Sequence, residues 1–245
     1  MKPLVIIPTY NEAENLPVLL PALFDAAPEV SVLVVDDGSP DGTAGVAHRL
    51  SLQFPGKVSV MTRARKSGLA SAYLAGFAWG MSRGFDHFLE MDADYSHDPK
   101  YVPELLREAA DHDVVIGSRN IPGGAVEGWG FLRNFISKGG SMYSRVILGC
   151  PVRDLTGGFN LWSKTALKTI GLDKVISRGY SFQVEMKYRA FKKGLRIKEV
   201  PILFVDRKRG KSKMSRKIFL EALLNIWKLR FMKIEGPKRV PTTSE

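Results

Sequence analysis

Two carboxylates, Asp92 and Asp94, stand two residues apart at the end of the apolar run 87–91. Residues at positions i and i+2 of an extended segment point to the same face, so both carboxylates face one place. Paired hard oxygen ligands suit a divalent cation such as Mg²⁺ or Mn²⁺, which commonly also holds substrate phosphates. This pair indicates a metal site at the edge of a sheet, although surface loops also produce the spacing by chance.

Polar residues follow two earlier strand-like runs as well. Tyr10 and Glu12 come after the first run, and Asp36 and Asp37 end the second. Acidic residues at such strand ends accept hydrogen bonds from ribose hydroxyls in nucleotide-binding folds. Turn and cap chemistry alone would explain the segment 36–42, but it would not explain why Glu12 and Asp92 end strands too. The glycine-rich fingerprints of dinucleotide and P-loop sites are missing from the sequence.

The elements that must position these residues alternate along the first half of the chain. Strand-like runs and amphipathic helical stretches follow one another up to residue 120, which predicts an α/β fold with a mostly parallel, doubly wound sheet. After residue 120 we expect a helix, a turn, a helix and a strand. The strands are predicted at 4–7, 32–35, 58–61, 88–91, 114–116 and 197–205, the helices at 14–24, 44–52, 70–81, 102–110, 131–148 and 181–192, and the turn at 156–159.

Composition limits the classes of protein that fit. With 245 residues, 44% of them hydrophobic, the chain can bury the core of one domain with an appendage. A formal charge of +11 is typical of proteins with a polyanionic partner. The single cysteine, Cys150, excludes an internal disulfide. Because a signal peptide and an 18-residue apolar run are both missing from the sequence, we expect a protein on the cytosolic side without a membrane-spanning helix.

The C-terminal region combines positive charge with aromatic residues. Residues 207–217 contain seven basic side chains and no acidic one, and they lead into the largely apolar segment 218–234. One interpretation is a helix packed on the domain. The other is an interfacial helix whose aromatic residues enter lipid while basic residues face the headgroups. The aromatic residues are Phe219, Trp227 and Phe231, and the basic ones are Lys228, Arg230 and Lys233.

Several motifs together give the chain a resemblance to a known family. The segments 8–12, 35–43 and 66–69 and the Asp92-Ala93-Asp94 motif resemble inverting family 2 glycosyltransferases of the GT-A fold. More narrowly, the chain is similar to the dolichyl (polyprenyl) phosphate mannose synthases, and the resemblance runs from residue 3 to about residue 230. The segments that carry this narrower resemblance are 117–119, 133–139, 154–159 and 207–213.

The resemblance implies a role for each matching residue. GDP-mannose would be the donor, Mg²⁺ or Mn²⁺ the cofactor, and a polyprenyl phosphate the acceptor. Ser96 stands where related enzymes often have Gln, so its role as a metal ligand departs from the family pattern. The implied nucleotide-sugar contacts are Pro8, Tyr10, Glu12, Asp37, Asp92, Ala93, Arg207 and Lys213; the metal ligands are Asp92, Asp94 and Ser96; the acceptor-phosphate residues are Arg119, Arg133 and Ser137; and the catalytic residues are Asp94, Arg119, Arg133 and Arg207.

The implied chemistry agrees with the residues that are present. A phosphate nucleophile is already largely ionised at neutral pH, because its second pKa is about 6, so the reaction needs no strong general base. The difficulty is bringing two anions together, since each pair of unit charges about 4 Å apart repels by roughly 4 kcal/mol at an effective dielectric constant of 20. A cation on the donor and arginines on the acceptor would offset that repulsion.

We therefore expect an inverting mannosyltransferase that acts peripherally at the cytoplasmic face of a membrane and has no nucleic-acid partner. Residues 1–206 would form the GT-A catalytic domain, with a nucleotide-sugar half (1–120) and an acceptor half (121–206). Residues 207–245 would supply a basic loop, a membrane-associating amphipathic helix and a short tail. The alternatives are a UDP-glucose-dependent polyprenyl phosphate glucosyltransferase and a non-catalytic basic module that binds membrane or nucleic acid.

Overall fold

The computed structural model describes the backbone of residues 1–206 and 216–234, and the side chains of these residues apart from 131–136, 180 and 216–223. The strands are β1 (Pro3–Thr9), β2 (Ser31–Asp36), β3 (Val58–Thr62), β4 (His87–Glu90), β5 (Val114–Ser118), β6 (Ala125–Glu127), β7 (Asn160–Ser163), β8 (Ile197–Pro201) and β9 (Leu203–Val205). The helices are α1 (Leu16–Ala26), α2 (Thr43–Gln53), α3 (Leu69–Ser82), α4 (Val102–Glu108), α5 (Phe131–Leu148), α6 (Lys164–Ile170), α7 (Tyr180–Lys192) and α8 (Arg216–Phe231).

Seven strands form one sheet in the order β3-β2-β1-β4-β7-β5-β8. All neighbouring strands are parallel except β7, which lies antiparallel between β4 and β5. The apolar run of β1 is buried on both faces, as expected for a parallel strand covered by helices on each side. Leu4 and Ile6 belong to one core layer, and Val5 and Ile7 belong to the other. The predicted α/β fold is confirmed.

Helix α3 lies unusually close to the sheet because two of its residues are glycines. A Cβ atom on Gly76 would lie 2.6 Å from Cγ2 of Ile6. A Cβ atom on Gly80 would lie 2.6 Å from Cδ2 of Leu4 and 2.7 Å from Cε1 of Phe88. Real Cβ atoms do not approach other atoms so closely, so these two glycines set the distance between α3 and strands β1 and β4.

The second half of the chain differs from the sequence prediction at the predicted strand 197–205 and at three further elements. The sequence predicted a single strand over residues 197–205, which is wrong: β8 belongs to the main sheet, while β9 pairs with β6 in a separate two-stranded sheet. The chain changes sheets at Ile202, whose N–H donates to the carbonyl of Ser118. Strands β6 and β7 and helix α6 were not predicted, because each is short and lacks a sustained hydrophobic period.

The C-terminal helix α8 packs on α5 and α7. Ile226 and Leu229 are buried in the core, and Nε1 of Trp227 donates to the hydroxyl of Tyr143 at 2.9 Å. Phe231 remains 79% exposed on the same helix. In the ranges 1–206 and 216–234, none of the helices is long and apolar enough to cross a membrane.

Candidate active site

The polar strand ends lie together, as predicted. Strands β2, β1 and β4 are adjacent and parallel, so the residues that follow them meet at the carboxyl edge of the sheet. Asp92 and Asp94 are half-buried just beyond β4, and Ala93 between them is buried. The prediction that Ala93 contacts the nucleotide sugar stays a prediction.

The orientation of Asp94 is fixed by Ser96. The Ser96 hydroxyl donates to Oδ1 of Asp94 at 2.6 Å, and the Ser96 backbone N–H donates to the same oxygen at 3.2 Å. Ser96 is itself buried. Its hydroxyl thus holds a carboxylate of the Asp-x-Asp pair, and the prediction that Ser96 also binds a metal stays a prediction.

A buried histidine holds the other half of the motif. Nδ1 of His97 accepts a hydrogen bond from the backbone N–H of Asp92 at 3.0 Å, and the ring stacks on Phe159 with centroids 4.9 Å apart. Burial lowers the pKa of His97 to about 4, so the ring is neutral and carries its proton on Nε2. The next residue, Asp98, caps the short helical turn that follows by accepting from the N–H of Lys100.

Beneath the Asp-x-Asp pair lies a fully buried carboxylate, Glu90. It accepts hydrogen bonds from Nδ2 of Asn160 at 2.7 Å, Nε1 of Trp162 at 3.1 Å and Nε2 of Gln183 at 3.2 Å. The antiparallel pairing of β4 and β7 sets Asn160 directly opposite Glu90. Burial raises the pKa of Glu90 to about 7 despite these donors. The unpredicted strand β7 therefore supplies two of the three groups that stabilise this carboxylate.

Residues predicted to bind the nucleotide line the β1 and β2 end of the edge. Asp37 forms an ion pair with Arg63, whose Nε lies 2.6 Å from Oδ1 of Asp37. The Nζ of Lys66 lies 3.9 Å from the centre of the Tyr10 ring. Pro8 is partly exposed at the end of β1, and the backbone N–H of Glu12 donates to Oγ1 of Thr43 at 2.9 Å. An aromatic ring, a carboxylate and two cations are thus gathered beside the Asp-x-Asp loop.

The region in which the sequence predicts the acceptor phosphate contains a buried ion pair. Nε and Nη2 of Arg119 each donate to Asp154 at 2.7 Å, a bidentate arrangement, and Nη2 also donates to Oγ1 of Thr156 at 3.0 Å. Burial acts to raise the pKa of Asp154, but the Arg119 guanidinium outweighs burial and holds that pKa below its ordinary value. Nζ of Lys187 donates to the carbonyl oxygens of Asp154 and Gly157 at 2.9 and 2.7 Å. Burial lowers the pKa of Lys187 to about 8.

Arg119 is close to the Asp-x-Asp loop through a shared aromatic neighbour. The Phe204 ring centre lies 5.3 Å from the guanidinium carbon of Arg119 and 5.7 Å from the His97 ring centre. Ser137 lies on α5 one turn before Ser141, whose hydroxyl is 3.2 Å from that of Thr156. Arg133 is on the same helix, but its side chain lies outside the described residues. Arg207 and Lys213 lie outside them entirely.

The residues at this edge fit a hard divalent cation. The carboxylates of Asp92 and Asp94 are oxygen donors of the kind Mg²⁺ and Mn²⁺ prefer. Beside them the buried hydroxyl of Tyr73 has no hydrogen-bond partner. Burial first, and then the nearby carboxylates of Asp92, Glu90 and Asp94, raise the pKa of Tyr73 well above its usual value. Over the part of the chain that the structure covers, no cluster of three or more His, Cys, Asp or Glu side chains forms a complete metal cage. A cation here would therefore need further oxygen ligands from substrate or water.

The arrangement of this sheet and its helices is the GT-A fold. A glucosyl-3-phosphoglycerate synthase from Mycobacterium tuberculosis, solved with Mn²⁺, UDP and glucosyl-3-phosphoglycerate, superimposes with a TM-score of 0.66 at 18% identity, covering 97% of this chain and 81% of that one. A mannosyltransferase from Pyrobaculum calidifontis, solved with GDP-Man and Mn²⁺, gives a TM-score of 0.55 at 16% identity, covering 93% and 69%. At these identities the likeness concerns the fold.

The chain belongs to glycosyl transferase family 2, whose sequence profile matches residues 4–171. An undecaprenyl-phosphate mannosyltransferase from Micrococcus luteus is 49% identical over 226 residues, which cover 92% of this chain and 93% of the relative. A polyprenol monophosphomannose synthase from Mycolicibacterium smegmatis is 46% identical over 230 residues, which cover 93% and 87%. The resemblance inferred from the sequence motifs is confirmed.

Proposed function

We propose that this protein transfers mannose from GDP-mannose to a polyprenyl phosphate, with inversion at the anomeric carbon, on the cytoplasmic face of a membrane. The observation that carries the proposal is the 49% and 46% identity, over nearly the whole chain, to two bacterial proteins named for mannosyl transfer to polyprenyl phosphate. The described site geometry is compatible with both substrates.

The donor would occupy the edge formed by β2, β1 and β4. Asp92 and Asp94 would hold Mg²⁺ or Mn²⁺, which when bound neutralises charge on the diphosphate. Tyr10 and Asp37 would contact the base and the ribose, and Arg63 fixes the orientation of Asp37. The GDP-Man and Mn²⁺ bound by the Pyrobaculum protein support this choice of donor and metal.

The acceptor phosphate would bind on the side of Arg119. The bidentate pair with Asp154 and the bond to Thr156 hold the Arg119 guanidinium in one orientation, so little ordering remains to be done when an anion arrives. Arg133 and Ser137 on α5 would complete this phosphate site, and Arg207 and Lys213 would approach both phosphates. A phosphate oxygen would then attack the anomeric carbon in a single displacement, and the GDP would leave from the opposite side.

Membrane attachment would use the exposed apolar side of α5 and α8. Met142 and Val146 on α5, together with Leu224, Trp227 and Phe231 on α8, are large hydrophobic residues in contact with solvent. Exposed basic residues, Lys228, Arg230 and Lys233, accompany them. An apolar strip with flanking cations fits an anionic membrane surface, where the lipid acceptor would also be found.

The test is a transfer assay with a panel of donors. Purified protein is incubated with undecaprenyl phosphate in detergent and with radiolabelled GDP- and UDP-sugars, with and without Mn²⁺, and label extracted into organic solvent is counted. We expect Mn²⁺-dependent label from GDP-mannose and a β-linked product by NMR. If only UDP-glucose gives label, the donor is UDP-glucose and not GDP-mannose. No label from any donor, with folded protein, would contradict the proposed function.

A further inference from the structure

Tyr73 on α3 has a polar atom that the fold itself does not use. The side chain is fully buried, and its ring stacks with those of Phe77 and Phe182, whose centroids are 6.2 and 6.3 Å away. The hydroxyl has no hydrogen-bond partner. A phenylalanine would fill the same space without burying an unsatisfied hydroxyl, which is costly to stability. Packing therefore explains the ring of Tyr73 but not its oxygen.

The register of α3 on the sheet places this hydroxyl at the Asp-x-Asp motif. Gly80 lies against Leu4 and Phe88, which pair across β1 and β4. One turn earlier, Gly76 lies against Ile6, the partner of Glu90. Four helical residues advance about 6 Å and two strand residues about 6.6 Å. Each helical turn toward the N-terminus of α3 therefore corresponds to two residues toward the C-terminus of β4.

The next step of this register brings Tyr73 to the row of Asp92. Every second residue of an extended segment faces the same side, and here these residues are Phe88, Glu90 and Asp92. On this side, Phe77 of α3 contacts Phe88 edge to face, with ring centres 5.9 Å apart. The neighbouring carboxylate Glu90 already accepts from Asn160, Trp162 and Gln183.

We propose that Tyr73 is a positioning residue whose hydroxyl donates to the Asp92 carboxylate and directs its other oxygen toward the divalent cation. The inference rests on the proposed function, because it assumes the metal site formed by Asp92 and Asp94. A donor behind a metal ligand fixes the orientation of that ligand, and removing such a donor typically weakens metal binding 10- to 100-fold. Tyr73 would then orient the side chain of Asp92, and His97 would orient the backbone of Asp92. Ser96 would orient the side chain of Asp94.

The experiment measures Mn²⁺ binding directly, by electron paramagnetic resonance of free Mn²⁺ in the presence of GDP. The wild type, Tyr73→Phe and the control Tyr188→Phe, which alters another buried tyrosine, are titrated in parallel. We expect Tyr73→Phe to weaken Mn²⁺ binding about tenfold or more. Its melting temperature without metal should stay close to that of the wild type, because the phenylalanine ring fills the same space between the helix and its neighbours. Tyr188→Phe should bind Mn²⁺ like the wild type.

The outcomes separate this inference from the proposed function. If the wild type binds Mn²⁺ and Tyr73→Phe binds it with the same affinity, the proposed role of Tyr73 is overturned but the metal site is not. A lower melting temperature with unchanged affinity would show that the residue is structural and would overturn the inference equally. Failure of the wild type to bind Mn²⁺ with GDP would contradict the metal site itself, and the inference with it.

Discussion

At the scale of single residues, the charged groups of the site are held by neighbours that sit behind them. Asp94 is bonded to Ser96, Asp37 to Arg63, and Arg119 to Asp154. Such contacts hold the side chains in place before substrate binds, which would lower the entropic cost of bringing the two anions of the proposed reaction together. Substitution of a supporting partner should therefore mainly change stability, whereas substitution of a residue that contacts substrate should mainly change the kinetic constants.

The buried ion pair between Arg119 and Asp154 should contribute strongly to stability. Asp154→Asn leaves a buried guanidinium without its charge partner, so we expect a loss of about 3–5 kcal/mol in the free energy of unfolding at pH 7. Urea unfolding measures this loss. The matched control is Asp113→Asn, which breaks the more exposed pair with Arg196 and should cost less than about 1 kcal/mol.

The difference in unfolding free energy between the wild type and Asp154→Asn should depend on pH with a definite sign. Because the folded-state pKa of Asp154 lies below the unfolded value of about 3.9, its contribution is present above about pH 4 and declines as the pH falls toward the folded pKa. The gap in unfolding free energy between the wild type and Asp154→Asn should therefore narrow between pH 4 and pH 2. A gap that widened with acid would contradict the ion-pair account.

Substitution of Arg133 tests the proposed acceptor-phosphate site. Loss of a charge-assisted contact to phosphate should raise the KM for polyprenyl phosphate about tenfold or more in Arg133→Ala, while the KM for GDP-mannose changes less than about twofold. Steady-state kinetics with each substrate varied in turn gives both values. Lys138→Ala, which alters an exposed residue of the same helix, is the control and should change neither. Equal increases in both constants for Arg133→Ala would place this arginine elsewhere.

At the scale of elements, the distance between α3 and the sheet depends on its glycines. Gly76→Ala would force a methyl group to within 2.6 Å of Ile6, so we expect a loss of about 1–3 kcal/mol in the free energy of unfolding. In contrast, Gly45→Ala on α2 has room for the methyl group and should be neutral or stabilising by up to about 1 kcal/mol. Thermal and urea unfolding compare the two variants. Equal stabilities would mean that α3 can move away from the sheet without cost.

How far the sequence predicts the structure also varies by element. The parallel strands and the helices that alternate with them have clear apolar periods, so they could be predicted, as could the meeting of their polar ends at one edge. Strand β7 could not, because its four residues, Asn160–Ser163, include polar side chains and run directly into α6. Its place between β4 and β5 is fixed by pairing with strands far away in the chain.

Contacts between residues far apart in the chain also explain which site residues the sequence analysis missed. Glu90 bonds to Asn160 and Gln183, which lie 70 and 93 positions later in the chain. The role of Tyr73 depends on the register of α3, which two glycines set. A single sequence contains signals for local periods and short motifs but none for such long-range contacts. The Asp-x-Asp pair could be found because both of its carboxylates lie in one motif.

At the scale of the whole molecule, we expect one side to lie on a membrane. The chain carries a net charge of +11, and the exposed apolar residues of α5 and α8 form its candidate lipid contact. Phe231→Glu places a carboxylate at a 79% exposed site of this surface and should reduce co-flotation with anionic liposomes several-fold. The control Leu52→Glu, at an 82% exposed leucine of α2, should float like the wild type. Equal losses in both variants would indicate a charge effect rather than a defined membrane surface.

The most direct test of the central claim is a competition between two donors in one reaction. Wild-type protein and Asp94→Asn are given undecaprenyl phosphate, Mn²⁺, and equal concentrations of GDP-mannose and UDP-glucose with different radiolabels. Both labels are then counted in the organic phase. We predict that the wild type transfers the mannose label in large excess and that Asp94→Asn transfers neither label, although it remains folded. Transfer of glucose in preference to mannose, or undiminished transfer by Asp94→Asn, would contradict the account.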